Sequence, residues 1–211
     1  MSHIAMDHSD EPIRLFKSDV LEFFSHIHPA VVLIIWLPVV IYFLLSAVVA
    51  REGDTSPLYI PLGFLVGVFA WTLAEYAVHR FVFHYRPRTS LQEKVLFLFH
   101  GVHHAQPQCK TRLVMPPAVS LPMAVVSYAV LRLLVGSVIG APHWVAPLFS
   151  GFVAGYLAYD MLHYATHHLP LHGEYLKYLK KHHMLHHFKT PEQRFGVSSP
   201  LWDLVFGTQP G

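Results

Sequence analysis

The chain has 211 residues, enough for one domain, and is 53% hydrophobic but only 13% charged, against about a quarter charged in ordinary soluble proteins; this balance points to a membrane. With 15 Lys and Arg against 13 Asp and Glu, the formal net charge of +2 gives no general electrostatic case for nucleic acid as a partner. The single cysteine, Cys109, excludes an internal disulfide framework and a cysteine-based zinc ribbon, and is read as an unremarkable thiol.

In chain order, residues 1–29 carry Asp7, Asp10, Glu11, Asp19 and Glu22 and lack the basic start, apolar run and cleavage site of a signal peptide. They read as a cytoplasmic leading segment. Residues 30–50 are apolar apart from Trp36, Tyr42 and Ser46, matching the roughly 20 residues a helix needs to cross hydrocarbon. A polar turn at 51–57 precedes a second apolar run, 58–78. The region 79–117 is polar and histidine-bearing, with Pro87 and the Pro116-Pro117 pair as breakers. Two further apolar runs, 118–140 and 144–161, are joined through Gly140-Ala141-Pro142, and 162–211 is polar again. Four such runs in so short a chain leave too little polar surface to cover them as a soluble core.

The expected fold is thus a single all-α integral membrane domain over 1–211, with four transmembrane helices and a cytoplasmic helical cap made of 79–117 and 162–211. Orientation follows from charge. Arg14, Lys17, Arg80, Arg86, Arg88, Lys94, Lys110, Arg112, Lys177, Lys180, Lys181, Lys189 and Arg194 lie in the three polar regions, and only Arg51 and Arg132 lie elsewhere. An even number of crossings puts those regions and both termini on one side, which the positive-inside rule makes the cytoplasm. The basic run from Tyr175 to Lys189 is read as a solvated face in preference to an anionic-lipid site.

Histidine is the outlier, at 18 residues, and it is the commonest metal ligand. Four boxes stand at segment ends: His79 and His84; His100, His103 and His104; His163, His167 and His168; His183, His186 and His187. On a helix, residues three and four apart share a face, so His100 converges with His103 or His104, His183 with His186 or His187, and His163 with His167. Adjacent histidines diverge by about 100° around a helix and serve separate ions. Two H-x-x-H-H boxes therefore argue for two metals in the cap. His79 and His84 are five apart, so either the helix ends between them or they serve different ions. His3, His8, His26, His28, His143, His168, His172 and His182 are read as ordinary polar side chains. Glu75, four residues before His79, and Asp160, three before His163, are placed to accept a hydrogen bond from a ligand's free ring nitrogen. Nitrogen-rich coordination suits iron, zinc or copper better than magnesium or calcium.

With its flanking residues this pattern resembles the fatty acid hydroxylase superfamily of membrane di-metal oxygenases, and most closely its fatty acid 2-hydroxylases. The resemblance rests on His79-Arg-Phe-Val-Phe-His84, on Phe99-His100-Gly-Val-His103-His104 continued through Pro107 to Arg112-Leu-Val-Met-Pro116-Pro117, on Tyr159-Asp160-Met-Leu-His163-Tyr-Ala-Thr-His167-His168, on Lys181-His-His183-Met-Leu-His186-His187, and on the tail from Phe195 through Trp202-Asp203 to Phe206-Gly207-Thr208. It implies ten ligands, His79, His84, His100, His103, His104, His163, His167, His183, His186 and His187, holding two irons, for which zinc can substitute on purification. It also implies dioxygen as co-substrate and hydroxylation of a lipid, a fatty acid or ceramide acyl chain, at the carbon next to the carbonyl. Many relatives carry a fused haem domain of the cytochrome b type, which 29 leading residues cannot contain, so a separate donor, cytochrome b-type or ferredoxin, is expected. Family members tend to have an acid where Cys109 stands. Phe81, Phe83, Tyr164 and Trp202 are candidate walls of a lipid channel, with interfacial anchoring as the competing role.

Three other readings compete. A sterol or carotenoid hydroxylase or desaturase would use the same scaffold, but the run from Arg112 to Pro117 argues against it. A metal transporter would place histidines deep in the apolar runs, and a zinc hydrolase would want an H-E-x-x-H-type base; neither pattern is present.

Overall fold

The computed structural model describes residues 7, 9–51 and 56–210, which are helix and loop with no strand among them; His3, His8 and residues 52–55 of the expected turn lie outside the described residues. In chain order the α-helices are α1 (Asp19–Phe23), α2 (Pro29–Val49), α3 (Tyr59–Ala77), α4 (Ser90–Leu96), α5 (Val102–Ala105), α6 (Pro117–Leu131), α7 (Val145–His168), α8 (Glu174–Phe188) and α9 (Leu201–Val205). Wider π-helical turns follow α3 at Val78–Phe83, join α4 to α5 at Phe97–Gly101, and follow α6 at Arg132–Val138.

Four spans are long and apolar enough to cross a bilayer: Pro29–Val49, Tyr59–Phe83, Pro117–Val138 and Pro142–His168. The second and fourth run past the expected limits at 78 and 161. Beyond those limits no proline or glycine occurs before Pro87 and Pro170, so the helical ladder continues. His79, His163 and His167 consequently sit on the spanning helices themselves.

The chain divides into two compact units, one of Ala30–Trp71 with Met115–Ala158, the other of Met1–Pro29, Thr72–Val114 and Tyr159–Gly211. In the first, α3 and α7 touch backbone to backbone. A Cβ on Gly67 would run into the carbonyl oxygen of Leu148, and one on Gly151 into that of Phe64. Small residues at a helix seam let dispersion and close contact hold helices together where lipid supplies no hydrophobic drive. Beside the seam Trp71 packs on Phe152 and Tyr156 with centroids 5.1 and 5.3 Å apart. Two buried polar side chains here find partners within the unit, as hydrocarbon favours: Ser150 Oγ donates to the Val40 carbonyl (2.8 Å) and Trp36 Nε1 to Ser120 Oγ (3.2 Å).

The second unit contains all four histidine boxes. It is built from short helices and loops strung between the ends of α3 and α7 and the amphipathic α8, whose buried side carries Leu179, His182, His183, His186 and His187.

Because the α3–α7 seam has no room for a side chain, Gly151→Leu is expected to destabilise the protein by about 1–3 kcal/mol or more through overpacking. Thermal unfolding in detergent checks this, and an unchanged midpoint would show that the seam is not tight.

Candidate metal centre

Ten histidines come together as two sets of five. His79, His84, His100, His104 and His186 form the first, and His103, His163, His167, His183 and His187 the second, each with ring nitrogens within 4.8 Å of one another. The adjacent pairs are split as their divergence around a helix demands: His103 and His104 of α5 go to different sets, as do His186 and His187 of α8. Of the alternatives left open by spacing, His100 meets His104 (2.9 Å) and His183 meets His187 (3.1 Å).

His79 and His84 share one set, and the π-turn explains how. The His84 N–H donates to the His79 carbonyl at 3.0 Å, a five-residue repeat that stacks residues five apart where an α-helix would not. The helix ends at Phe83 with His84 as its C-cap, yet the two serve one set, not two. Such single widened turns inside helices are frequent at functional sites.

The chemistry of the donors decides what these sets can hold. In the second set the Nε2 atoms form a chain, His163 to His103 (2.9 Å), His103 to His187 (3.0 Å), His187 to His183 (3.1 Å) and His183 to His167 (2.9 Å). Each Nε2 of a neutral imidazole offers one proton or one lone pair, so five of them complete at most about two hydrogen bonds. The four contacts are therefore mainly lone pairs converging on shared space, which a cation stabilises and bare imidazoles do not. Protonation cannot relieve the crowding. Burial first, and then the neighbouring imidazoles, push His84, His100, His103, His104, His183, His186 and His187 below the usual value of 6.5. In the first set, Nδ1 of His79 donates to the Phe195 carbonyl (2.6 Å) and Nδ1 of His186 to that of Gln193 (2.7 Å). Each Nε2 is then left as a lone pair. The donor sets fit metal ions.

The two acids expected beside the ligands do not bond the rings nearest them on their helices. Glu75 is buried, but it accepts the N–H groups of Val197 (2.6 Å) and Ser198 (2.8 Å) and the Ser198 hydroxyl, not the His79 ring. The tertiary loop takes the carboxylate because its amides would otherwise be unpaired. Asp160 is buried on α7, but Nδ1 of His163 makes no hydrogen bond, so the expected bond between them does not form.

Of the proposed channel walls, Phe83 is buried and stacks on His100 at 4.8 Å. Phe81 is exposed beneath the Arg80 guanidinium, Tyr164 faces His168, and Trp202 stacks on Phe206 while donating to Thr72 Oγ1 (2.9 Å). Of these four, Phe83 is the one whose ring stacks on a histidine of either set. A groove of about 510 Å³ in this unit is lined by residues such as Ile13, Leu15, Pro87, Leu96, Phe97 and Leu98.

Sequence reasoning missed two supports. Asp203 is fully buried and meets His182, itself buried, at 3.2 Å; its sequence signal was its place in the tail run that carries the resemblance, which assigned it no role. The leading segment also clamps the loop after His104. Gln106, fully buried, accepts from the Ile13 N–H (2.8 Å) and donates to Asp7 (3.0 Å) and to the Glu11 carbonyl (2.9 Å). Buried Arg112 donates to the Ile13 carbonyl (2.7 Å) and pairs with Glu22 (2.6 Å). Cys109 lies buried within this loop.

An all-helical chain with four helices of membrane-crossing length and paired five-histidine sets defines a membrane protein with two histidine clusters that could hold metal. The comparisons make the class specific: the model of the family described as fatty acid hydroxylase matches residues 64–208, and the chain belongs to that family. A dihydroceramide fatty acyl 2-hydroxylase of Arabidopsis thaliana is 38% identical over 200 residues, covering 94% of this chain and 80% of its own length. The fatty acid 2-hydroxylase of Mus musculus is 36% identical over 215 residues, covering 93% of this chain and 56% of its own. Among solved structures, the hydroxylase domain of full-length scs7p superposes with a TM-score of 0.82 at 37% identity, covering 92% of this chain and 70% of that one.

The Glu22–Arg112 pair carries a pH dependence. Burial works to raise the Glu22 carboxyl, but the N–H groups of Phe16 and Leu15 and the Arg112 guanidinium outweigh it and hold the pKa below 4.5. A depressed folded-state value stabilises fully above the ordinary one and is lost as pH falls through the lowered value. Glu22→Gln should therefore cost about 1–3 kcal/mol at pH 7, and progressively less as acid protonates the wild-type carboxyl. Unfolding curves of both proteins across pH 3–7 (a range of roughly the carboxylate titration) test this; a constant gap would contradict it.

Proposed function

We propose that this chain is a di-iron membrane monooxygenase that hydroxylates an acyl lipid, a fatty acid or ceramide, at the carbon next to the carbonyl. The observation that carries the reading is the pair of five-histidine sets whose Nε2 lone pairs converge, in a chain of the fatty acid hydroxylase family. The relatives named above as dihydroceramide fatty acyl and fatty acid 2-hydroxylases support the substrate class and the position of attack.

On this reading His79, His84, His100, His104 and His186 hold one iron, and His103, His163, His167, His183 and His187 the other. Sets made of imidazole nitrogen alone would suit iron, although zinc can take its place during purification. The irons supply activation of dioxygen and the oxidising power that no side-chain acid or base can bring to an unactivated C–H bond. One oxygen atom enters the C–H bond and the other leaves as water, with two electrons and two protons supplied from outside. A separate cytochrome b-type or ferredoxin donor is proposed for the electrons.

The protein's own part is placement. The carbonyls of Phe195 and Gln193 hold His79 and His186 in the tautomer that leaves Nε2 free. Burial of the other imidazoles, with His104 half-buried, limits water at the centre. Positive residues concentrated at 80–112 and 177–194 support placing both termini and the histidine sets on the cytoplasmic side.

Expressed with a competent donor, the protein should convert an acyl lipid to its 2-hydroxy form with the label of ¹⁸O₂ in the hydroxyl. His104→Ala or His187→Ala should lower product by more than the roughly 100-fold that loss of a supporting group costs, with membrane insertion intact. Mass spectrometry reads this directly, and a new double bond or oxygen taken from water would sink the hydroxylase assignment.

Topology is tested separately. Cysteines introduced at Ser56 and at Gln193, in a Cys109→Ser background, should react with an impermeant thiol reagent from opposite faces of sealed vesicles. Labelling of both from the same face would overturn the four-crossing arrangement.

A further inference from the structure

Two buried carboxylates from different helices converge on one loop, and that loop touches only the first histidine set. Asp203 of α9 accepts the N–H of Phe195 (2.8 Å), the N–H of Gly196 (2.8 Å) and the hydroxyl of Thr208 (2.7 Å), and His182 Nε2 donates to it at 3.2 Å. Glu75 accepts the next two amides, Val197 and Ser198. Four consecutive N–H groups are thus held by two acids. The carbonyls of the same segment bind the ligands, Phe195 to His79 and Gln193 to His186.

The loop is held closely. A Cβ on Gly196 would come within 2.9 Å of Asp203 Oδ2. Arg194, between the two carbonyl-bearing residues, has a φ of 62°, in the left-handed region that non-glycine residues adopt only when their surroundings impose it. A relay backs the carboxylate: Arg80 donates to the Tyr76 hydroxyl (2.8 Å), which lies 3.0 Å from Thr208 Oγ1, which donates to Asp203. The second set has no counterpart. Nδ1 of His103, His163, His167, His183 and His187 makes no hydrogen bond to any described residue.

We propose that Asp203, assisted by Glu75, is a positioning residue for the first histidine set alone: through the Phe195 and Gln193 carbonyls it fixes the tautomer and ring plane of His79 and His186 and so makes the two metal positions unequal. This rests on the reading that both sets hold metal. An imidazole whose Nδ1–H donates to a carbonyl is the more basic ligand at Nε2, and loss of such a support typically costs 10–100-fold in metal affinity. The first position therefore holds its ion more tightly than the second. Replacing Asp203 by Asn turns one acceptor into an N–H₂ facing donors and releases the loop.

The test is chelator-driven metal release from purified, metal-loaded protein, followed with a chromophoric chelator. Wild type should release two ions in unequal phases. Asp203→Asn should accelerate the slow phase about 10–100-fold and leave the fast phase unchanged. Glu75→Gln and the milder Thr208→Val should move the same phase in the same direction, so the result does not depend on one variant folding. A role confined to general stability would speed both phases together. That outcome, or a slow phase unaffected in the variants, overturns the assignment, as does release of both wild-type ions in one phase. Wild-type protein that cannot be loaded with two ions would instead remove the metal reading itself.

Discussion

Ten imidazoles brought together with ring nitrogens about 3 Å apart repel one another as bare bases and cannot be relieved by protonation, since burial and their neighbours suppress the charged form at the seven that lie outside the spanning helices. Only convergence on a cation removes that conflict. The rest of the second unit serves this constraint. α5 and α8 each carry adjacent histidines into two different sets, so neither set can be assembled without the other's helices.

The supports around the centre are polar and buried, an arrangement that is costly unless every group is paired. Glu75 and Asp203 meet that condition by taking the amides of 195–198. Arg112 and Gln106 do the same for the segment that crosses the loop beyond His104. Apolar packing at these places would fill space equally well, but it would not direct a carbonyl at a particular ring nitrogen. In the membrane-spanning unit the problem is the reverse. Few polar groups need partners, and close approach at Gly67 and Gly151 supplies the specificity.

The π-turns connect these two kinds of packing. Val78–Phe83 turns the end of a spanning helix so that His79 and His84 face the same point, and Phe97–Gly101 does so for His100 between α4 and α5. A regular α-helix would have spread the first pair across two faces. The widened turn therefore allows a helix designed for hydrocarbon to end in a chelating pair.

The sequence by itself determined the helical class, the four apolar spans and the histidine boxes, because hydrophobic run length and i, i+4 spacing are local properties that survive any packing. It also determined that adjacent histidines must part, which follows from helical geometry alone. Tertiary structure decided which histidines share a set, since His79 and His84 meet only through a turn that no spacing rule anticipates. It decided the partners of Glu75 as well: proximity along a helix suggested a ligand ring, but the amides of a loop more than 120 residues away in sequence claim its carboxylate. Asp203 and Gln106 were silent for the same reason. Their hydrogen bonds span long separations or turn on burial, and neither is written in the residues beside them.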